Sequence, residues 1–131
     1  MIDRARLREL LEREHEHFVA SHLRSRALFE RARGSLLGGV PMSWMAKWAG
    51  GFPVFVERAE GARVVDVDGN EYIDLCLGDT GAMAGHAPPE TVAAAAEQLA
   101  RGSTAMLPSE DAIVASQELA RRFGLPLWQF T

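Results

Sequence analysis

The chain has 131 residues, 47% of them hydrophobic, and a formal net charge of −4, which is enough apolar material for the core of one small domain. The acidic balance, with no basic stripe interleaved with aromatics, argues against a surface that tracks a nucleic-acid backbone. A single cysteine, Cys76, excludes an internal disulfide framework and suits a reducing compartment.

Met1-Ile2-Asp3-Arg4 opens on charge, without the apolar stretch of a secretory leader, and no run approaches the roughly 18 apolar residues of a membrane span, so a cytoplasmic location is expected. Residues 3 to 33 read as helical. Leu7, Leu10, Leu11, Phe18 and Val19 fall near helical spacing, with Arg and Glu on the other faces. Ser21 is the expected cap of a second helix carrying Leu23, Ala27 and Leu28, and Gly34, Gly38-Gly39 and Pro41 stop it. The apolar stripe is narrow, so this segment is expected to dock on another surface. Residues 34 to 51 form a glycine-rich loop loaded with Val40, Met42, Trp44, Met45 and Trp48. Loops normally run through solvent, so such a load predicts that something covers it.

From Phe52 the period becomes two. Strands are predicted at Phe52–Glu57, Ala62–Asp66 and Glu71–Leu77, separated by Glu60-Gly61 and by the tight-turn signal Asp68-Gly69-Asn70. Pro88-Pro89 opens an alanine-rich helix through Glu90–Arg101, which Gly102 closes. Ser109, Glu110 and Asp111 open another that runs to Gly124, the acids lying at its positive end. Leu125 to Thr131 starts an extended apolar segment, and the sequence stops inside it, which reads as truncation. The fold class expected is α+β: N-terminal helices, a three-stranded antiparallel meander and two further helices.

Candidate chemistry is sparse. His15, His17 and His22 lack the i, i+4 spacing of a helical metal pair and are expected on a solvated helix face. His86 is expected to be a loop histidine bonding backbone groups. Asp66, Asp68, Asn70 and Asp74 are better explained by a hairpin turn than by calcium, since the EF-hand glycine and terminal glutamate are missing. Cys76, on an apolar strand, is expected in the core. Asp79 and Thr80, between glycines at a strand end, suit either a ligand-binding corner or an ordinary turn. No nucleophile–base pair, phosphate loop or metal cluster is apparent, and Lys47 is the single lysine.

The segment order resembles the class III, fold type I aminotransferases that depend on pyridoxal phosphate, in the branch of glutamate-1-semialdehyde aminomutase. Leu37-Gly38-Gly39-Val40-Pro41 carries the resemblance first, then Pro53 through Asp74 with Asp66-Val67-Asp68-Gly69 and Tyr72-Ile73-Asp74, then Gly85-His86-Ala87-Pro88-Pro89. The resemblance implies a helical segment at residues 1–36, followed at residues 37–131 by part of a small domain and the start of the cofactor-binding large domain. It implies a homodimer, an amino donor and a keto acid acceptor as small-molecule partners, and a pyridoxal phosphate whose binding residues and catalytic lysine come later. No catalytic, cofactor-binding or metal residue is therefore assigned in this chain.

Two departures stand out: Met45 falls where aminomutases carry an arginine for the substrate carboxylate, and Gly78-Asp79-Thr80 replaces their Ser-Trp-Gly. They point to an aminotransferase acting on a differently shaped amino acid or amine. By position, Trp44, Asp79, Thr80 and Met106, the last in the loop from Ser103, are the candidate wall of the substrate pocket. The rival reading is a non-catalytic helical and β-meander module used for protein association.

Overall fold

A computed structural model describes residues 3–47, 49–104 and 106–130. The chain divides into two compact units, Met1–Pro89 and Glu90–Thr131. In the first, helix α1 spans Arg4–Ser21, and Asp3 caps it, Oδ1 accepting from the backbone of Ala5 and Arg6 at 2.9 and 3.1 Å. Leu7 and Leu11 stay exposed, whereas Leu10, Phe18 and Val19 are half-buried, so α1 is covered along part of one face and at its C-terminal end.

Helix α2 spans Leu23–Ala32, and His22, the residue at its N-cap, makes no side-chain capping bond. Ser21 is not the cap expected of it: it closes α1, and its hydroxyl donates back to the His17 carbonyl at 2.8 Å. The cap comes from far along the chain, where the Asp68 carboxylate accepts from the backbone N–H of Arg24 at 2.6 Å and of Ser25 at 2.9 Å. After α2, Gly39 takes φ 74°, and a Cβ there would meet the Phe29 ring at 2.6 Å, so the close packing of this corner on α2 needs glycine.

The meander is present with shifted edges. Strand β1 is Val56–Glu60, β2 Arg63–Asp66 and β3 Glu71–Ile73, all antiparallel in the order β1-β2-β3. Glu60 pairs with Arg63 across a two-residue turn, and the register slips between Val56 and Arg58, leaving Glu57 as the extra residue of a bulge. The first predicted strand began too early: the Phe55 carbonyl still takes the Val67 N–H at 2.9 Å, but the Phe55 N–H goes to the Ser25 hydroxyl at 3.2 Å. The third was predicted too long. Asp74 Oδ1 accepts from the N–H of Cys76 and Leu77 at 2.8 and 3.0 Å, turning the chain away from the ladder.

The packed centre of this unit is as polar as it is apolar. Val40, Val65 and Ala82 are its buried apolar residues, beside buried His22, Ser25 and Asp66. In the second unit, α3 spans Pro89–Arg101 and α4 Glu110–Phe123, and among the described residues neither helix buries a side chain. Gly124 ends α4 in the left-handed conformation, its N–H reaching the Ala120 carbonyl at 2.9 Å.

Candidate functional site

Two features of the first unit could meet a ligand. The first is an apolar groove of about 670 Å3, lined among others by Val40, Trp44, Met45, Phe52, Val54 and Phe55. Trp44 and Met45 come from the short 3-10 turn Ser43–Lys47. Gly50, at φ 106°, lets the following segment cross against α1, since a Cβ there would lie 2.7 Å from the Phe18 ring. Phe18 in turn packs on Phe52 with ring centroids 4.9 Å apart, which ties the groove to α1. Trp48, predicted to load the same loop, lies outside the described residues, as do Ala105 and Thr131.

The second feature is the loop from Leu75 to Gly85. Its turn runs through four consecutive left-handed residues, Leu77, Gly78, Asp79 and Thr80, at φ 59°, 54°, 55° and 83°. Three of them carry a Cβ, and Thr80 is β-branched, for which such φ is a real outlier. The Asp79 N–H donates to the Cys76 carbonyl at 3.1 Å and the Ala82 N–H to the Leu77 carbonyl at 2.8 Å. Among the described residues no group donates to the Asp79 carboxylate, which is exposed together with Thr80.

The base of this loop is tied. His86 pairs with Gly61, each N–H meeting the other's carbonyl at 2.8 and 2.9 Å, and His86 Nε2 donates to Asp74 Oδ2 at 2.6 Å. The His86 bond, followed by the Cys76 and Leu77 amides, holds the Asp74 carboxyl below the ordinary carboxylate range. The His86 ring, expected to bond backbone groups, instead bonds the Asp74 carboxylate, and only its main chain pairs with Gly61. Cys76 is not in the core: it is exposed, because the chain has left the sheet at Asp74.

A relay between buried His22 and buried Asp66, bridged by the partly exposed Tyr72, joins the helices to the hairpin. His22 Nδ1 meets the Phe18 carbonyl at 2.8 Å, Nε2 meets the Tyr72 hydroxyl at 2.7 Å, and that hydroxyl donates to Asp66 Oδ2 at 2.8 Å. His22 is thus no solvated helix residue, whereas His15 and His17 are exposed.

Asp66 also accepts from the backbone of Asp68 and Asn70 and from the Asn70 side chain at 2.8–3.0 Å. Burial pushes the Asp66 carboxyl up, but these bonds together outweigh it and hold the group below its usual value. The Tyr72 hydroxyl is pushed up to about 12 by burial and by its bond to Asp66.

Of the residues singled out in the sequence, Trp44 belongs to the groove and Asp79 with Thr80 to the loop corner, and the groove lining and the corner share no residue. Met106 belongs to the second unit, where it is fully exposed with φ 54°. Among the described residues no group of three His, Cys, Asp or Glu side chains could hold a metal, and no helix is long and apolar enough to cross a membrane. Sequence reasoning missed the Asp74–His86 tie and the His22–Tyr72–Asp66 relay. The signal for the first is faint, an Asp at a strand end and a His in a Gly-His-Ala-Pro turn twelve residues later.

Comparison with known proteins matches residues 44–126 to the class-III aminotransferase family. A glutamate-1-semialdehyde 2,1-aminomutase from Roseiflexus castenholzii is 46% identical over 99 residues, 75% of this chain and 22% of that protein. A crystal structure of a glutamate-1-semialdehyde aminomutase from Pseudomonas aeruginosa PAO1 is 49% identical, covers 98% of this chain and 28% of its own, and superposes with a TM-score of 0.88. A variant of that enzyme is solved in complex with PMP. An omega-transaminase from Sphaerobacter thermophilus is 35% identical over 75% of this chain and 22% of its own, with a TM-score of 0.66. The chain thus spans less than a quarter of the curated relatives' length, in their N-terminal part.

Proposed function

The chain belongs to the class-III aminotransferase family, and from that premise we propose that it forms the N-terminal portion of a pyridoxal-phosphate-dependent enzyme that moves an amino group between an amino acid or amine and a keto acid. By itself it is catalytically silent. Pyridoxal phosphate needs a lysine held against it and donors for its phosphate. Lys47 is exposed on a short 3-10 turn, and no glycine-rich phosphate loop stands among the described residues. The residues present do not fit the cofactor, and its binding is assigned to the part of the relatives that this chain does not cover.

In the complete enzyme we assign residues 1–36 to a helical arm and residues 37–131 to part of the small domain and the start of the large one. The enzyme works in the cytoplasm as a homodimer, the second copy covering apolar surface such as Leu37, which is 97% exposed. The first unit's own chemical share is a piece of pocket wall at Trp44, Asp79 and Thr80.

One observation carries the substrate reading. The Asp79 carboxylate is presented from a left-handed corner and takes no hydrogen bond from any described residue, which is unlike a turn-capping aspartate such as Asp74. An anion there repels a substrate carboxylate, by on the order of 4 kcal/mol at about 4 Å and an effective dielectric near 20, and favours a cationic or hydroxyl-bearing group. Met45, where aminomutases hold that carboxylate with arginine, sits instead in an apolar groove. Both support transfer between two molecules over the aminomutase reaction.

Replacing Asp79 by Ala in the complete enzyme is expected to change the ratio of kcat/KM values across a panel of amino donors by about tenfold, with the melting temperature held. A uniform loss on all donors with a lowered melting temperature refutes the pocket role.

A further inference from the structure

Four left-handed residues in a row are an unfavourable conformation for anything but glycine, because each Cβ crowds the following carbonyl oxygen. Leu77, Asp79 and Thr80 keep it only if the ends of the loop are held where they are. The ends are held at one place. On the incoming side, the Asp74 N–H donates to the Ala62 carbonyl at 2.8 Å. On the outgoing side, His86 bridges to the neighbouring Gly61. Gly85, at φ 89°, approaches so closely that a Cβ would lie 3.2 Å from the Gly61 Cα.

Both ends thus rest on the turn between β1 and β2, and one side-chain bond, His86 Nε2 to Asp74 Oδ2 at 2.6 Å, joins them directly. The other oxygen of Asp74 takes the Cys76 and Leu77 amides, so the same carboxylate that grips His86 also starts the left-handed turn.

We infer that Asp74 and His86 are positioning residues for the Asp79–Thr80 corner: their hydrogen bond closes the base of the loop and sets the direction in which that corner faces substrate. The inference rests on the reading of the corner as pocket wall. It needs an acceptor at Asp74 and a donor at the place of His86 Nε2, but no charge on the ring, so a glutamine at position 86 can do the same work while a leucine cannot.

Amide hydrogen exchange on the chain and substrate preference in the complete enzyme test it together. In His86→Leu, the amides of Cys76, Leu77 and Ala82 are expected to exchange about tenfold faster, while those of Val64 and Tyr72 in the sheet keep their rates. The kcat/KM ratio between amino donors should move in the direction that Asp79→Ala moves it. His86→Gln should restore both, which a role in general stability would not produce. Should His86→Leu fail to fold, Asp74→Ala, which removes the acceptor altogether, decides by the same two readouts, with the same signs expected.

Unchanged loop exchange, or an unchanged donor ratio, overturns the inference. In the latter case Asp79→Ala locates the failure. If it moves the ratio, the tie does not position the corner; if it leaves the ratio alone, the pocket reading itself is wrong.

Discussion

The two units of this chain contain helices of similar length and opposite circumstance. In Met1–Pro89, α1 and α2 are anchored by residues that come from the hairpin: Asp68 caps α2, Asn70 donates to the Ser21 carbonyl at 3.0 Å, and Tyr72 reaches His22. In Glu90–Thr131, α3 and α4 are supported by their own turns, with exposed pairs such as Glu118 to Arg121 and Arg122 at 2.7 and 2.6 Å. Helices of about 12–15 residues are marginal in water without tertiary packing. The first unit has found its packing partner inside the chain. The second presents Val92, Leu99, Ile113, Val114 and Phe123 to solvent.

The contrast breaks most sharply at Asp66, which is fully buried and receives four hydrogen bonds from Asp68, Asn70 and Tyr72. Asp66→Ala leaves those donors unmatched and is expected to cost the first unit about 3–5 kcal/mol. Residue-resolved spectra should lose the signals of α1, α2 and the meander while α3 and α4 keep theirs. Equal loss in both units would mean that the second depends on the first.

Acid comes next. Asp66, Asp68 and Asp74 all lie below the ordinary 3.8 in the folded chain. The unfolded chain therefore binds protons at higher pH than the folded one, and the stabilisation, complete above pH 3.8, is lost as pH falls below it. At the alkaline end the sign reverses: Tyr72 is raised from 10 to about 12, so its share is complete below pH 10 and lost as pH climbs toward 12. A pH series of thermal melts should give the first unit a plateau between these limits. A melting temperature still constant well below pH 3.8 contradicts the assignment.

The smallest effects are at the caps. Asp68→Ala removes a cap set by tertiary structure and should lower first-unit stability by about 1 kcal/mol. Ser109 precedes α4 but makes no side-chain bond to its backbone, so Ser109→Ala should stay within about 0.5 kcal/mol. Urea titrations of the two variants sharpen the comparison. Equal losses would show that Ser109 caps after all.

Much of this molecule is legible without coordinates because it is written in neighbouring residues. The helical stretches follow from 3.6-residue periodicity, and Pro89, Gly102 and Gly124 mark their limits. The hairpin at Asp68-Gly69 follows from turn chemistry, and the family from the spacing of Asp66-Val67-Asp68-Gly69, Tyr72-Ile73-Asp74 and Gly85-His86.

What the sequence could not decide by itself is which polar side chains meet. His22 reads as a surface helix residue until Tyr72, fifty positions on, is laid against it. Asp74 reads as the middle of a strand until His86 draws its carboxylate aside and leaves Cys76 exposed. Strand β1 begins four residues later than its hydrophobic pattern starts, because Phe52 packs on Phe18 and the Phe55 N–H goes to Ser25 of the second helix. Periodicity and turn preference act over a few residues and survive in the bare sequence. The partner of a buried donor is chosen only when distant segments close on it, because an unmatched group in the interior costs about 1–3 kcal/mol and the fold settles where none is left.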